Sequence, residues 1–225
     1  MDWLYPPSCA GCGKGGERLC RSCLQQITPI DHQTSCPRCD LPQVNHLCPD
    51  CQSQPPIFEQ LRSYSVYDGA LRRAIHRLKY ENDLPLADTL CRFLISLFSE
   101  QNWQVDLVCP VPLSQQRLQQ RGYNQSALLA QMLSWAVSIP FTNKALFRNR
   151  ETRSQVGLNA VQRRENVKGA FSAVPSMVQN KTVLVVDDIA TTSATLSACA
   201  EALKSAGASQ VYALTLARTV QIEQS

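Results

Sequence analysis

The chain has 225 residues, enough for one ordinary domain and a small additional module. Hydrophobic residues make up 44% and charged residues 18%, which is a globular composition. The net charge of +4 is only mildly basic and no apolar run could span a bilayer, so composition indicates neither a nucleic-acid partner nor a membrane span.

A cysteine-rich segment comes first along the chain. Eight of the 11 cysteines lie in the first 51 residues and form four C-x-x-C pairs. A disulfide framework would need an oxidising compartment, and the amino terminus lacks the pattern of a signal peptide. Two cysteines in C-x-x-C instead present two thiolates to one tetrahedral metal ion. The segment therefore predicts zinc held by reduced thiolates in the cytoplasm.

These thiolates suffice for two closed, structural four-cysteine zinc sites. Pairing of neighbouring motifs is favoured because short spacers cost the least loop entropy. The first predicted site contains Cys9, Cys12, Cys20 and Cys23. The second contains Cys36, Cys39, Cys48 and Cys51. A crossed arrangement, in which the first motif pairs with the third, stays open at this point.

The predicted boundary between two units lies at Pro55-Pro56, a stiff joint. Residues 1–54 form the predicted zinc-ribbon module, which is too short and too poor in apolar runs to build a core without metal. Residues 57–225 form the predicted second domain.

Strands and helices alternate in the second domain. The predicted strands are 61–69, which ends in a turn, 105–112, 169–174, 181–188 and 209–218. The predicted helices are 70–80, 86–98, 124–136 and 194–207. The first of these helices places Leu71, Ala74, Ile75 and Leu78 on one face. The alternation predicts a mainly parallel sheet with helices on both faces.

The run VLVVDDIATTSAT, Val183 to Thr195, carries the candidate ligand site. Asp187 and Asp188 end a buried strand, and ligands of such sheets bind at the carboxyl ends of strands. The following residues lead into a helix, whose first N–H groups and dipole suit an anion. A sugar phosphate needs both features, acceptors for its hydroxyls and donors for its phosphate. Neither a P-loop nor a dinucleotide-binding glycine motif is present.

This run resembles the signature with which type I phosphoribosyltransferases bind 5-phosphoribosyl 1-pyrophosphate (PRPP). Four further stretches, taken with it, resemble the ComF/GntX family: YDGALRRAIHRLKY, PVPLSQQRLQQRGYNQSALLA, RSQVGLNAVQRRENVKGAF and AGASQVYALTLAR. The resemblance covers nearly the whole chain. It implies an α/β fold in which an amino-terminal double zinc ribbon joins a type I phosphoribosyltransferase-like domain.

The resemblance also implies roles for individual residues. Asp187 and Asp188 would accept the ribose hydroxyls, and Mg²⁺ would accompany the pyrophosphate. Arg117 and the two expected catalytic residues, Arg121 and Lys79, would face the pyrophosphate, with the loop that carries the arginines as a mobile cover. The residues expected around the 5′-phosphate are Thr191, Thr192, Ser193, Ala194 and Thr195.

Ser193 departs from the family pattern, which usually has glycine at this position. Glycine permits a positive φ and a close approach of the backbone to its ligand. Serine fits here if the backbone is in an ordinary region, and its hydroxyl could then donate to the phosphate. The alternative is that serine at this position weakens phosphate binding.

Two functions follow as hypotheses. The resemblance implies a role in competence, or in uptake or use of external DNA, with single-stranded DNA and proteins of the uptake machinery as partners. Positive charge beside aromatic rings suits a single strand. The expected contacts are Arg72, Arg73, Arg77 and Lys79, flanked by Tyr67 and Tyr80. The alternative is an active phosphoribosyltransferase acting on a base or amine, although the sequence contains no recognisable acceptor pocket.

Overall fold

The structure is a computed structural model that describes residues 6–42, 44, 46–150 and 160–220. The strands in these residues are β1 (Gln60–Val66), β2 (Leu107–Pro110), β3 (Leu146–Arg148), β4 (Phe171–Ala173), β5 (Thr182–Ala190) and β6 (Gln210–Arg218). The helices are α1 (Arg21–Leu24), α2 (Pro49–Ser53), α3 (Gly69–Tyr80), α4 (Leu86–Ser99), α5 (Gln115–Arg121), α6 (Gln125–Val137), α7 (Ala160–Val167), α8 (Pro175–Val178) and α9 (Ala194–Ser205).

The central sheet is parallel and has the strand order β1-β6-β5-β2. Its middle strands are rich in valine and leucine because both of their faces are covered, as in other sheets of this class. Strand β4, although predicted, lies outside this sheet and pairs antiparallel with β3, which was not predicted. The parallel α/β prediction is confirmed, and a small second sheet is added to it.

Each face of the central sheet has its own hydrophobic core. Alternate residues of β5 point to opposite cores, as the pleat of a strand requires: Leu184 and Val186 to the first, Val183 and Val185 to the second. The first core contains α3, α4 and α6, together with Cys9, Cys20 and Cys23 of the first cysteine cluster. The second contains α9 and the second cysteine cluster. The two clusters therefore pack on opposite faces of one sheet.

The predicted apolar face of α3 is confirmed. Leu71, Ala74, Ile75 and Leu78 are all buried, and Ala70 joins them. Helix α6 begins where the sequence places it, because the Asn124 side chain accepts hydrogen bonds from the first turn and caps the helix. Within the described residues, none of the helices is both long and apolar enough to cross a membrane.

The segment after β2, expected as a loop, contains helix α5. The hydroxyl of Ser114 caps its start by accepting from the Arg117 N–H at 3.3 Å. Gly122 ends the helix with a φ of 78°, a left-handed conformation that glycine adopts without steric cost. The turn then leads directly into α6. Helix α5 thus carries Arg117 and Arg121 at a fixed helical spacing toward the carboxyl edge of the sheet.

Candidate functional site

A cleft of about 200 Å³ lies at the carboxyl end of β5. It collects side chains from α3, from the α5 segment and from the turn after β5. All the residues predicted for the sugar phosphate except Thr192 line it: Lys79, Arg117, Arg121, Asp187, Asp188, Thr191, Ser193, Ala194 and Thr195. Thr192 lines a neighbouring cavity instead. The fold therefore brings residues more than 100 positions apart into one site.

A lysine from α3 pairs with one of the two neighbouring carboxylates. Lys79 Nζ lies 2.5 Å from Asp188 Oδ2, and both side chains are largely buried. The sequence suggested the start of a helix as the positive feature opposite the acidic pair, and it placed Lys79 beside the pyrophosphate. The structure pairs Lys79 with Asp188, so this lysine offsets part of the charge of the acidic pair directly, and its place beside the pyrophosphate stays a prediction.

Protonation of Asp187 is set by its surroundings. Burial, together with the neighbouring carboxylate of Asp188, raises the pKa of Asp187 to about 7. The Ser126 hydroxyl, which donates to Asp187 Oδ1 at 2.7 Å, opposes this rise. Burial by itself would lower the pKa of Lys79, but the attraction of Asp188 and Asp187 outweighs it and raises that pKa. The site thus holds a charged lysine and an aspartate that titrates near neutrality.

Residues Thr191–Thr195, here called the phosphate loop, connect β5 to α9. Ser193 has φ 59° and ψ 7°, which is the left-handed region. The condition under which serine would fit without strain, an ordinary backbone region, is therefore not met. Its hydroxyl accepts a hydrogen bond from Arg218 Nη1 at 2.7 Å, so that oxygen faces a protein cation. The loop keeps the glycine-like geometry without glycine.

Arginines form the opposite rim of the cleft. The guanidinium of Arg121 lies 5.1 Å from the ring centroid of Tyr80, a cation–π contact, and also donates to Gln125. Arg117 and Arg148 complete the rim. Arg148 was missed by the sequence reasoning, because it lies on β3 and no local motif marks that strand. A positive rim facing an acidic pair suits a ligand with both hydroxyls and phosphates.

The cysteines form two clusters of the composition expected from neighbouring motifs. Within each set of four, the sulfur atoms all lie within 4.8 Å of one another. The Cys12 and Cys20 sulfurs are 3.7 Å apart, and those of Cys39 and Cys48 are 3.6 Å apart. Four sulfurs bound to one zinc ion at about 2.3 Å are roughly 3.8 Å apart. The clusters therefore fit tetrahedral zinc, and the described cysteines do not adopt the crossed arrangement.

Backbone N–H groups support the same interpretation. The sulfur of Cys9 accepts from the N–H groups of Gly11 and Cys20, each at 3.3 Å. In the second cluster the sulfur of Cys36 accepts from the Cys48 N–H at 3.4 Å. Such donors stabilise thiolates, which are the form that binds zinc.

Most of the basic side chains of α3 are already engaged. Arg73 Nε donates to the Gly11 carbonyl at 2.5 Å, and Arg77 Nη1 donates to the Ser8 carbonyl at 2.9 Å. These contacts hold the first cysteine cluster against the helix. Lys79 is paired with Asp188. Among the four expected DNA contacts, only the Arg72 side chain makes no described polar contact of this kind. Its guanidinium lies 5.9 Å from the centroid of the Tyr67 ring. DNA contact by these four residues stays a prediction, and three of them already have partners within the protein.

Comparison with known proteins reveals the same two-part arrangement. The double zinc ribbon domain model matches residues 1–52, and the phosphoribosyl transferase domain model matches residues 118–221. DNA utilization protein YhgH of Escherichia coli K12 is 34% identical over 209 residues, covering 90% of this chain and 91% of that protein. Competence protein F of Haemophilus influenzae is 33% identical, covering 89% of this chain and 90% of that one. This chain belongs to the ComF/GntX family.

Among solved structures, the orotate phosphoribosyltransferase from Aeropyrum pernix matches this ComF/GntX chain at 20% identity and a TM-score of 0.40. The match covers 70% of this chain and 68% of that enzyme.

This ComF/GntX chain also has a larger cavity, of about 630 Å³, on the other side of the phosphate loop. Its walls are the second cysteine cluster, α7, the start of α9 and the phosphate loop, and Thr192 belongs to this side. Arg164 of α7 lies 3.4 Å from Asp50 of α2 and donates to Gln54, which ties α7 to the cysteine cluster across the cavity. No local sequence pattern predicts this cavity, since its walls come from distant segments.

Proposed function

We propose that the cleft at the carboxyl end of β5 binds PRPP together with Mg²⁺. The observation that carries this proposal is the buried Lys79–Asp188 pair directly beside the phosphate loop. In this assignment Asp187 and Asp188 accept the ribose hydroxyls, and the first N–H groups of α9 donate to the 5′-phosphate. Arg117 and Arg121 then face the pyrophosphate, whose charge Mg²⁺ partly neutralises.

The test is isothermal calorimetry of PRPP with Mg²⁺, comparing wild type with Asp188→Asn. Loss of a charged acceptor should weaken binding by about 1.5–3 kcal/mol. Asp88→Asn is the matched control, because Asp88 is exposed on α4 and pairs only with its neighbour Arg92 among the contacts described. Absence of wild-type binding at millimolar PRPP would refute the assignment and leave the domain as a scaffold.

We further propose that the protein acts in the use of external DNA, in the cytoplasm, after a single strand has entered. The relatives' names, DNA utilization protein and competence protein, support this role. Reduced cysteine clusters that fit zinc agree with a reducing compartment. Proteins of the uptake machinery are natural partners in such a role.

An exposed stripe on α3 supports contact with single-stranded DNA. Arg72, His76 and Tyr80 are spaced by four residues and are all exposed, so they share one face of the helix. Arg72 lies over the ring of Tyr67, and Arg121 lies over the ring of Tyr80. Rings alternating with cations offer both base stacking and phosphate neutralisation. The stripe spans about 12 Å along the helix, room for a few nucleotides.

The DNA proposal is tested by titrating a labelled single strand at two salt concentrations. Arg72→Glu should weaken binding and reduce the slope of log affinity against log salt by about one, the share of one phosphate contact. Arg92→Glu, an exposed arginine on α4, is the control and should change neither. Equal affinities for wild type and Arg72→Glu would exclude this stripe from the DNA surface.

A second candidate function is transfer of the phosphoribosyl group to a small base or amine. The match of residues 118–221 to the phosphoribosyl transferase domain model favours it. In that case the carbon–pyrophosphate bond breaks as the acceptor nitrogen bonds to the anomeric carbon, with the protein supplying position and charge. Pyrophosphate release from PRPP with and without nucleobases, amines or single-stranded DNA distinguishes the transferase from a binding protein.

A further inference from the structure

Arg218, the last residue of β6, connects the second cysteine cluster to the phosphate loop. Its Nη1 donates to the Thr191 carbonyl at 2.5 Å and to the Ser193 hydroxyl at 2.7 Å. Its Nη2 lies 3.6 Å from the Cys39 sulfur, within hydrogen-bonding distance. The residue is only 5% exposed, so these contacts are made out of solvent.

The sheet register puts Arg218 in this place. Strand β6 pairs with β5 so that Arg218 lies opposite Ala190, the residue just before the phosphate loop. The Thr219 N–H donates to the Ala190 carbonyl at 2.9 Å and continues the pairing by one residue. The guanidinium is a planar fork, so one side can hold the loop while the other reaches the cluster.

The phosphate loop needs such a support. Ser193 adopts a left-handed conformation that costs an L-residue free energy, and strained conformations persist only where surrounding contacts fix them. Arg218 supplies two of these contacts, one at the strained residue itself and one two residues before it. The guanidinium stays charged at all relevant pH values, and the thiolate of a metal-bound cysteine is its anionic neighbour.

We propose that Arg218 is a positioning residue through which metal in the second cysteine cluster fixes the conformation of the phosphate loop. Zinc bound by the second cluster fixes the position of the Cys39 sulfur. The Arg218 guanidinium contacts this sulfur with one nitrogen and Thr191 and Ser193 with the other, so a fixed sulfur also restricts the loop. Loss of the metal releases the sulfur, so the fork and the loop lose one fixed point. Because such coupling is reciprocal, a ligand on the loop also strengthens zinc retention in this cluster.

Arg62 provides a matched control. It is also a buried arginine beside the second cluster, 7% exposed, and it contacts Pro37 and Asp40. It has no described contact with the phosphate loop. Arg62→Met therefore removes a buried guanidinium from the same cluster while leaving the link to the loop intact.

The test is hydrogen exchange of the peptide 187–197 in zinc-loaded protein, which needs no ligand. Arg218→Met should exchange roughly tenfold faster in this peptide than wild type, as expected when hydrogen bonds that hold the loop closed are lost. Arg62→Met should leave the peptide unchanged. Selective loss of the second metal through Cys48→Ser should reproduce the Arg218→Met effect, whereas Cys12→Ser in the first cluster should not.

A ligand measurement follows, and this part rests on the proposed PRPP site. PRPP should slow chelator-induced zinc loss from the second cluster in wild type and should not do so in Arg218→Met. Arg218→Lys is the variant to use if Arg218→Met fails to fold. It keeps the positive charge but not the two-sided guanidinium, so it should fold. PRPP should nevertheless not slow zinc loss in this variant.

Unchanged exchange of the loop in Arg218→Met, or an equal effect of Arg62→Met, would overturn the proposal. If wild type binds no PRPP but the exchange results hold, the proposed ligand is wrong and the link through Arg218 stands. If PRPP binds but the expected exchange differences are not seen, the PRPP site stands and the link through Arg218 is wrong.

Discussion

At the scale of single residues, Ser193 shows how a side chain can offset an unfavourable backbone conformation. A left-handed residue other than glycine costs about 1–2 kcal/mol. The hydrogen bond from Arg218 to the Ser193 hydroxyl contributes about 1 kcal/mol in the opposite direction. The departure from the family's usual glycine is therefore compatible with a formed phosphate loop.

Two variants of Ser193 separate these effects. Ser193→Ala keeps the backbone cost and loses the hydrogen bond, so it should lower the free energy of unfolding by about 1–2 kcal/mol. Ser193→Gly also loses the hydrogen bond but relieves the backbone, so it should be more stable than the alanine variant by about 1 kcal/mol. Urea unfolding followed by circular dichroism measures both. Equal stability of the two variants would contradict the argument from backbone strain.

Asp187 predicts a pH dependence of stability. Its pKa is raised to about 7 in the folded protein, so between about 4 and 7 the folded state binds more protons here than the unfolded state. The contribution of this residue to stability is therefore largest at low pH and is lost as the pH rises through 7. Asp187→Asn removes this loss and should stabilise the protein more at pH 8 than at pH 5, by about 1–2 kcal/mol.

The measurement is the free energy of unfolding of wild type and Asp187→Asn at both pH values. A larger stabilisation at pH 5 would reverse the assigned sign.

At the scale of elements, α3 serves two purposes that its sequence does not separate. Its apolar face follows the 3.6-residue period and was predictable from that period alone. From the sequence, its arginines are interpreted as solvent-exposed charges or as a DNA-binding surface. In the structure, Arg73 and Arg77 hydrogen-bond to the segment that contains the first cysteine cluster. Helical spacing gives the face of a residue but not the segment that packs on that face.

Arg77→Met should therefore destabilise the protein. Arg77 Nε lies 2.9 Å from Asp83 Oδ2, and the carboxylate of Asp83 is largely buried. Removing one of its cationic partners should lower the free energy of unfolding by about 1–3 kcal/mol. Arg92→Met on α4 serves as the control, since its ion pair with Asp88 is exposed and should contribute little. An effect of Arg77→Met no larger than that of the control would contradict a structural role for Arg77 between α3, Asp83 and the first cysteine cluster.

At the scale of the whole molecule, the cysteine clusters are parts of the two main cores rather than appendages. Three cysteines of the first cluster, all but the exposed Cys12, share a core with α3 and α4, and all four of the second share one with α9. The predicted domain limits, 1–54 and 57–225, stay predictions, because packing of this kind joins the two units. Metal binding and folding of the sheet should therefore be coupled.

Metal analysis should find two zinc ions per chain, one for each closed cluster. Cys12→Ser should retain one of them, since the second cluster is complete without the first. Chelation should lower the melting temperature in a single transition, because each cluster is continuous with a core of the sheet. One zinc ion or none in the wild type, or an early separate transition of the ribbons alone, would contradict this view.

The sequence by itself determined the alternation of strands and helices, the buried face of α3, the four-cysteine sets and the acidic pair before α9. These features depend on neighbours within a few residues, where periodicity, spacing and local loop entropy decide the outcome. Only the tertiary structure decided the pairing of Lys79 with Asp188, the place of Arg148 in the cleft and the contacts of Arg218 with Cys39 and Ser193. Each of these joins strands or helices far apart in the chain, and their registers follow from packing of the two cores rather than from any local pattern.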